Sequence, residues 1–272
     1  MSAAETPRPH PSAGPATETD APRVTDRRLP WGRAIRAQAW MELKLLVRSA
    51  ESLIITLGIP LGILVFFSAV DVLPTGTGPA VDFLVPGVLA ISIAGTGLVA
   101  VGIQTAFERK YGALKRLGGT PLPRSGFLLS KGLAVAALLA GQTVLVVGTA
   151  SVFLGWAPSG GWLLAPLLVV IGAVTFTALG LLMAGALRAE ATLALSNAVF
   201  LGLLVISGVT FRADALPDGL AAIGQGLPLG ALGTALRAAL DGDGLAIVAT
   251  LIVAGWGVGA VALASRTFRW EP

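Results

Sequence analysis

The sequence has no cysteine, one histidine, one tyrosine and few charges: Asp, Glu, Lys and Arg make up only 12% of its 272 residues. Soluble domains carry about a quarter charged residues. Without cysteine there is neither a disulfide framework nor a thiolate metal site, and no redox compartment to read from either. The lone His10 sits in a proline-rich stretch, so intramembrane metalloprotease or histidine-dependent serine protease chemistry lacks its ligand or base. None of Lys44, Lys110, Lys115 or Lys131 follows the glycines of G-x-x-x-x-G-K-[ST], which excludes nucleotide binding through a P-loop. No Asp, Glu or Arg falls inside the apolar stretches between their ends. Ion-coupled carriers need an ionisable or cation-ligating group near the midplane, so proton-coupled antiport is disfavoured.

What the chain has in abundance is apolar length. Hydrophobic residues make up 54% and the mean hydropathy is +0.81. This is an integral membrane protein, and no segment outside the apolar stretches is long enough to bury a separate catalytic core. The pI of about 10.1 has a simple origin in cytoplasmic loops, which collect Lys and Arg, and does not call for a nucleic acid partner.

The expected fold class is all-α, with six transmembrane helices near 52–70, 83–106, 127–154, 163–187, 192–210 and 245–265, each close to the roughly 20 residues that cross the hydrocarbon. Residues 1–30, with six prolines and few large apolar side chains, predict a disordered cytoplasmic tail, and they contain no apolar h-region of a cleavable signal. Residues 31–272 form the transmembrane domain. Trp31 to Ala50 alternates apolar Trp31, Ile35, Ala39, Leu43 and Leu46 with Arg33, Arg36, Glu42, Lys44 and Arg48, which predicts an amphipathic helix in the headgroup plane. With both termini cytoplasmic, all of the 19 Lys+Arg except Arg212 and Arg237 lie on the inner side.

Two polar segments interrupt the spans. In 107–131, Phe107, Tyr111, Leu114 and Leu117 recur at helical spacing opposite Glu108, Arg109, Lys115 and Arg116. Gly118 to Pro123 then forbids continuation. A short cytoplasmic helix follows from this pattern, able to take force from a docked protein; an anchor against anionic lipid explains the same composition. In 211–243 the chain is too polar to span and too apolar for an open loop. Two short helices dipping into the outer leaflet, hinged around Gly224 to Pro228, reconcile these facts, as does an amphipathic hairpin lying on the membrane. Gln142 and Asn197 are expected to hydrogen-bond between helices, and Gly58/Gly62 and Gly255/Gly259 to permit close helix approach.

The run ERKYGALKRLGGTPLPRSGFLLSK resembles the first cytoplasmic loop of ABC transporter permeases of the ABC-2 type, whose pattern E-R-x-x-G-x-L-x-x-L-x-x-x-P is matched by Glu108, Arg109, Gly112, Leu114, Leu117 and Pro121, with Lys131 beyond. A second stretch, 207–240, is similar to the outer re-entrant hairpin of that family through Ser207-Gly208, Leu216-Pro217, Leu227-Pro228 and Leu236-Arg237. It departs from the family at Thr210-Phe211-Arg212, where an aromatic-Pro pair is usual. The resemblance covers the chain from about residue 31 onward.

It implies that Glu108, Arg109, Tyr111, Gly112, Leu114, Leu117 and Pro121 form a coupling helix on an ABC ATPase subunit, present in two copies. It also implies that the chain pairs with a second permease protomer, as homo- or heterodimer, in the cytoplasmic membrane. The chain itself would bind no cofactor, with ATP and magnesium held by the partner, and would catalyse nothing. An exporter of an apolar or amphipathic solute fits the apolar interior. A polysaccharide exporter of the same class, or a non-transporting assembly or regulatory subunit, stands beside that expectation.

Overall fold

The computed structural model describes residues 30–48, 57–70, 79–113, 124–209 and 217–267. Among these, all regular structure is helical. In chain order the elements are α1 (Trp31–Arg48), α2 (Ile59–Ala69), α3 (Ala80–Ala94), a π-helical segment (Gly95–Val101), α4 (Gly102–Lys110), α5 (Arg124–Phe153), α6 (Leu164–Ala186), α7 (Ala189–Ile206), α8 (Asp218–Gly226), α9 (Pro228–Leu240) and α10 (Ile247–Thr267). Five stretches are long and apolar enough to cross a membrane: 80–110, 129–153, 164–186, 189–206 and 247–266. The expected first span is described only from residue 57, as the short apolar α2. The expected tail lies outside the described residues apart from Pro30.

The continuous helix 80–110, made of α3, the π segment and α4, is the centre of the bundle: 78% of its most apolar window is buried, against 22% for α7 and 28% for α10. Position in the bundle accounts for that contrast. The outer helices turn Leu201, Val205, Val248, Leu251 and Val258 away from the protein, as lipid-facing surfaces do. Asp82 in the first turn of α3 complements the helix dipole.

The π segment lies where the central helix presses on α6. A Cβ on Gly97 would come within 2.9 Å of Phe176 backbone, and one on Gly180 within 2.5 Å of the Gly97 carbonyl oxygen; Gly102 meets Gly180 at 3.1 Å. Only hydrogen side chains let two backbones approach this closely. By contrast, Gly62, Gly255 and Gly259 meet nothing within 4 Å among the described residues, so these three of the expected small-residue positions do not bring described helices together. Overpacking then makes a prediction: Gly180→Ala should destabilise the detergent-solubilised protein by about 1–3 kcal/mol, whereas Gly259→Ala should leave its thermal midpoint unmoved.

Next to the central helix, α1 is bound to protein and not spread on lipid along its apolar stripe. Ile35, Ala39, Glu42 and Leu46 turn inward while Trp31 is exposed, and α1 packs chiefly on α5. The presence of Glu42 in that stripe is the reason: a carboxylate cannot enter the acyl region unpaired, and α5 supplies its partner.

At the other end of the bundle, α8 and α9 meet at an angle of 85°. Leu227 is extended, its N–H bonding to the Gly224 carbonyl, and Pro228 starts the next helix with its fixed φ and no N–H to satisfy. The bend is wedged against the end of α7, since a Cβ on Gly224 would lie 2.0 Å from the Ile206 carbonyl oxygen. Leu220 and Ile223 of α8 are exposed, while Leu229, Leu232 and Leu236 of α9 are fully buried. The Trp256 indole N–H donates to the Gly226 carbonyl at 3.1 Å. Trp256 lies nine residues into α10, about 14 Å along its axis, so the bend reaches well down beside that span.

Candidate functional site

Three consecutive residues at the end of α4 each bind a different part of the bundle. Lys131, on α5, is 1% exposed. Its Nζ donates to Glu108 Oε2 at 2.7 Å and to Glu42 Oε2 at 2.9 Å. The remaining carboxylate oxygens are also occupied: Gln104 Nε2 donates to Glu108 at 2.7 Å and Gln38 Nε2 to Glu42 at 3.1 Å. On two separate helices, then, a glutamine one turn before a glutamate completes the same arrangement, and the lysine lies between them. A buried charge tolerates its surroundings only when paired and hydrogen-bonded in this way. The ammonium also lies 5.3 Å from the Phe127 ring centroid.

The second residue, Arg109, is buried. It donates to the Gly185 carbonyl at 2.7 Å and to the Leu187 carbonyl, which belong to the last turn and C-cap of α6. A cation here satisfies acceptors that a helix end leaves open and opposes its dipole. The third residue, Lys110, pairs with Glu190 at the start of α7; both are exposed, so this bond stabilises little. Through Glu108, Arg109 and Lys110 the end of the central helix is joined to α1, α5, α6 and α7.

The polypeptide leaves this junction at once. Tyr111 caps α4 and is 72% exposed, and Gly112 adopts φ +73, a left-handed conformation that glycine enters without strain. The apolar face expected to run from Phe107 to Leu117 as one helix is therefore broken at Tyr111-Gly112: Phe107 lies in the last turn of the central helix, with Tyr111 beside it at 6.0 Å between ring centroids. Leu114, Leu117, Pro121 and the stop at Gly118 to Pro123 lie outside the described residues.

Glu108 and Arg109 were expected on a docking surface. Both instead point into the bundle, because each meets a buried opposite charge or a set of open carbonyls there. Sequence reasoning missed Glu42, Gln38, Gln104 as a bonded side chain, and Lys131 as anything beyond a motif position. The repeated Q-x-x-x-E in 38–42 and 104–108 was the available signal.

On the opposite side, Arg237 of α9 stacks its guanidinium 4.4 Å from the Phe83 ring. Asp241, in the loop after α9, has its carboxyl pushed above the usual range by partial burial; Asp243 and Asp82 act in the same direction and Arg237 opposes them. Pro217 precedes α8, and Leu227 and Pro228 form the bend; Leu216 lies outside the described residues. Gln142 accepts a hydrogen bond from Thr96 Oγ1 of the π segment at 3.4 Å, between helices. Asn197 is exposed and donates to the Leu193 carbonyl of its own helix at 2.8 Å. Among the described residues no group of His, Asp or Glu is placed to hold a metal.

A bundle of apolar spans around a buried helix, with its buried ion pairs at one end, defines a multi-pass membrane protein. The chain belongs to the ABC-2 type transporter family, whose model matches residues 33–240. It is also similar to a protein of Bacillus subtilis (strain 168) named "Putative transport permease YvfS", with 25% identity over 198 residues covering 71% of this chain and 80% of that protein. Both comparisons describe transport proteins.

Proposed function

We propose that the chain is the membrane subunit of an ATP-driven exporter, moving an apolar or amphipathic solute such as a drug-like molecule or lipid across the cytoplasmic membrane, with ATP and magnesium held on a separate ATPase. The observation that carries this reading is the junction at the end of the central helix. A loop that begins one residue beyond it, at Tyr111 and Gly112, delivers any displacement to four other helices. Family membership supports an ABC ATPase as the source of that displacement.

In this reading both termini are cytoplasmic, residues 31–272 are one transmembrane domain, two ATPase subunits dock, and a second permease protomer completes the pathway. Tyr111, Gly112, Leu114, Leu117 and Pro121 provide the docking surface. Glu108 and Arg109 transmit from behind it, and α8 and α9 form a re-entrant hairpin on the outer side. The cargo assignment follows from the apolar spans.

Co-purification with candidate ATPase subunits tests the proposal. Tyr111→Ala should weaken association about tenfold, as truncating an exposed aromatic anchor does, with the thermal midpoint unchanged. Undiminished association and undiminished transport-coupled hydrolysis in that variant and in Glu108→Gln would remove the junction from the coupling route.

A further inference from the structure

α1 carries a second surface that the junction does not use. Its residues 31–48 contain one carboxylate, Glu42, which is buried on Lys131. Its cations Arg33, Arg36, Lys44 and Arg48 are all exposed. At 100° per residue these four fall on one arc of the helix, opposite Ile35, Glu42 and Leu46, with Trp40 in their midst. Trp40 is 60% exposed, and Lys44 Nζ lies 5.8 Å from its ring. Along one flank of this arc Met41 and Leu45 are exposed as well, at 57% and 50%.

The helix thus has three faces: one on protein, one basic with a tryptophan, one apolar and uncovered. An acidic protein surface would account for the basic face but would leave Met41 and Leu45 in water. A membrane boundary accounts for both, since the apolar flank meets acyl chains while Arg, Lys and Trp lie at headgroup level.

We infer that the outward face of α1 is a binding surface for anionic lipid headgroups, and that its occupancy bears on the junction through the Glu42–Lys131–Glu108 chain. The inference rests on the proposed placement of α1 at the cytoplasmic face and is independent of ATPase docking. Each cation near an anionic surface contributes about fivefold to binding, so the four together give a strong and salt-sensitive preference.

Because the chain lacks cysteine, a single one can report on this face alone. Ala37→Cys, exposed on the same arc, would carry a small fluorophore on the full-length protein in phosphatidylcholine vesicles containing a minor fraction of brominated lipid. Brominated phosphatidylglycerol should quench the label several-fold more than brominated phosphatidylcholine. The preference should collapse at high salt and in the variant carrying Arg33→Gln, Arg36→Gln, Lys44→Gln and Arg48→Gln, and should persist when the three arginines become lysine, which separates loss of charge from misfolding. Equal quenching by the two lipids overturns the inference. So does a preference that survives neutralisation while ATPase co-purification in detergent is lost, since the face would then serve a protein partner.

Discussion

Lys131→Met should lower the stability of the purified protein by about 3–5 kcal/mol, the range for removing one partner from a buried ion pair. The substitution keeps the volume and apolar stem of the side chain and deletes only the ammonium. Glu42, 2% exposed, and Glu108, half-buried, would then face each other with only their glutamine partners. The control decides the cause. If uncompensated charge is responsible, adding Glu42→Gln and Glu108→Gln to Lys131→Met should restore most of the loss, because an all-neutral buried network is close to an all-paired one in stability. Thermal unfolding in detergent reads both results. A Lys131→Met midpoint equal to that of the parent would show that the three helices are held without the ion network.

Arg109→Gln should act differently. Its bonds to the Gly185 and Leu187 carbonyls are charge-assisted, the first buried and the second partly so, and losing them should cost about 3 kcal/mol. Gln retains donors but not the reach or the charge, so the end of α6 would fray and the turn into α7 loosen. The expected functional signature is a split: ATPase association kept, because Tyr111 and the following loop are untouched, but hydrolysis no longer stimulated by transported solute. Loss of association with an unchanged thermal midpoint would instead return Arg109 to a docking surface.

Much of the fold was legible because lipid simplifies the rules. Spans reveal themselves by apolar length, the tight α6–α7 turn by the charges of Arg188 and Glu190 between two apolar runs, and the α8–α9 bend at Leu227-Pro228 by its proline. The junction was less legible for a related reason. A charged side chain at the end of a span reads as solvated when only its neighbours in sequence are considered, and Glu108 and Arg109 read on that basis as part of a cytoplasmic helix facing a docked protein. Arg109 has a partner 78 residues away at Leu187, and Lys131 one 89 residues away at Glu42, beyond what periodicity registers. The same limit explains Asn197: composition says that an amide in a span seeks a partner, and only geometry says that the partner is one turn back in its own helix.

The contact of Gly97 and Gly102 with Gly180 has a mechanical meaning. Where backbones touch there are no side-chain rotamers to absorb a shove, so the middle of the central helix is held rigidly against the last third of α6. At about 1.5 Å per residue the stretch from Phe83 to Glu108 spans nearly 40 Å. One tip lies beneath the stacked guanidinium of Arg237 and the other inside the ion network. The glycine contact lies between those two ends, and the one side-chain bond described across helices on the way is that of Thr96 to Gln142.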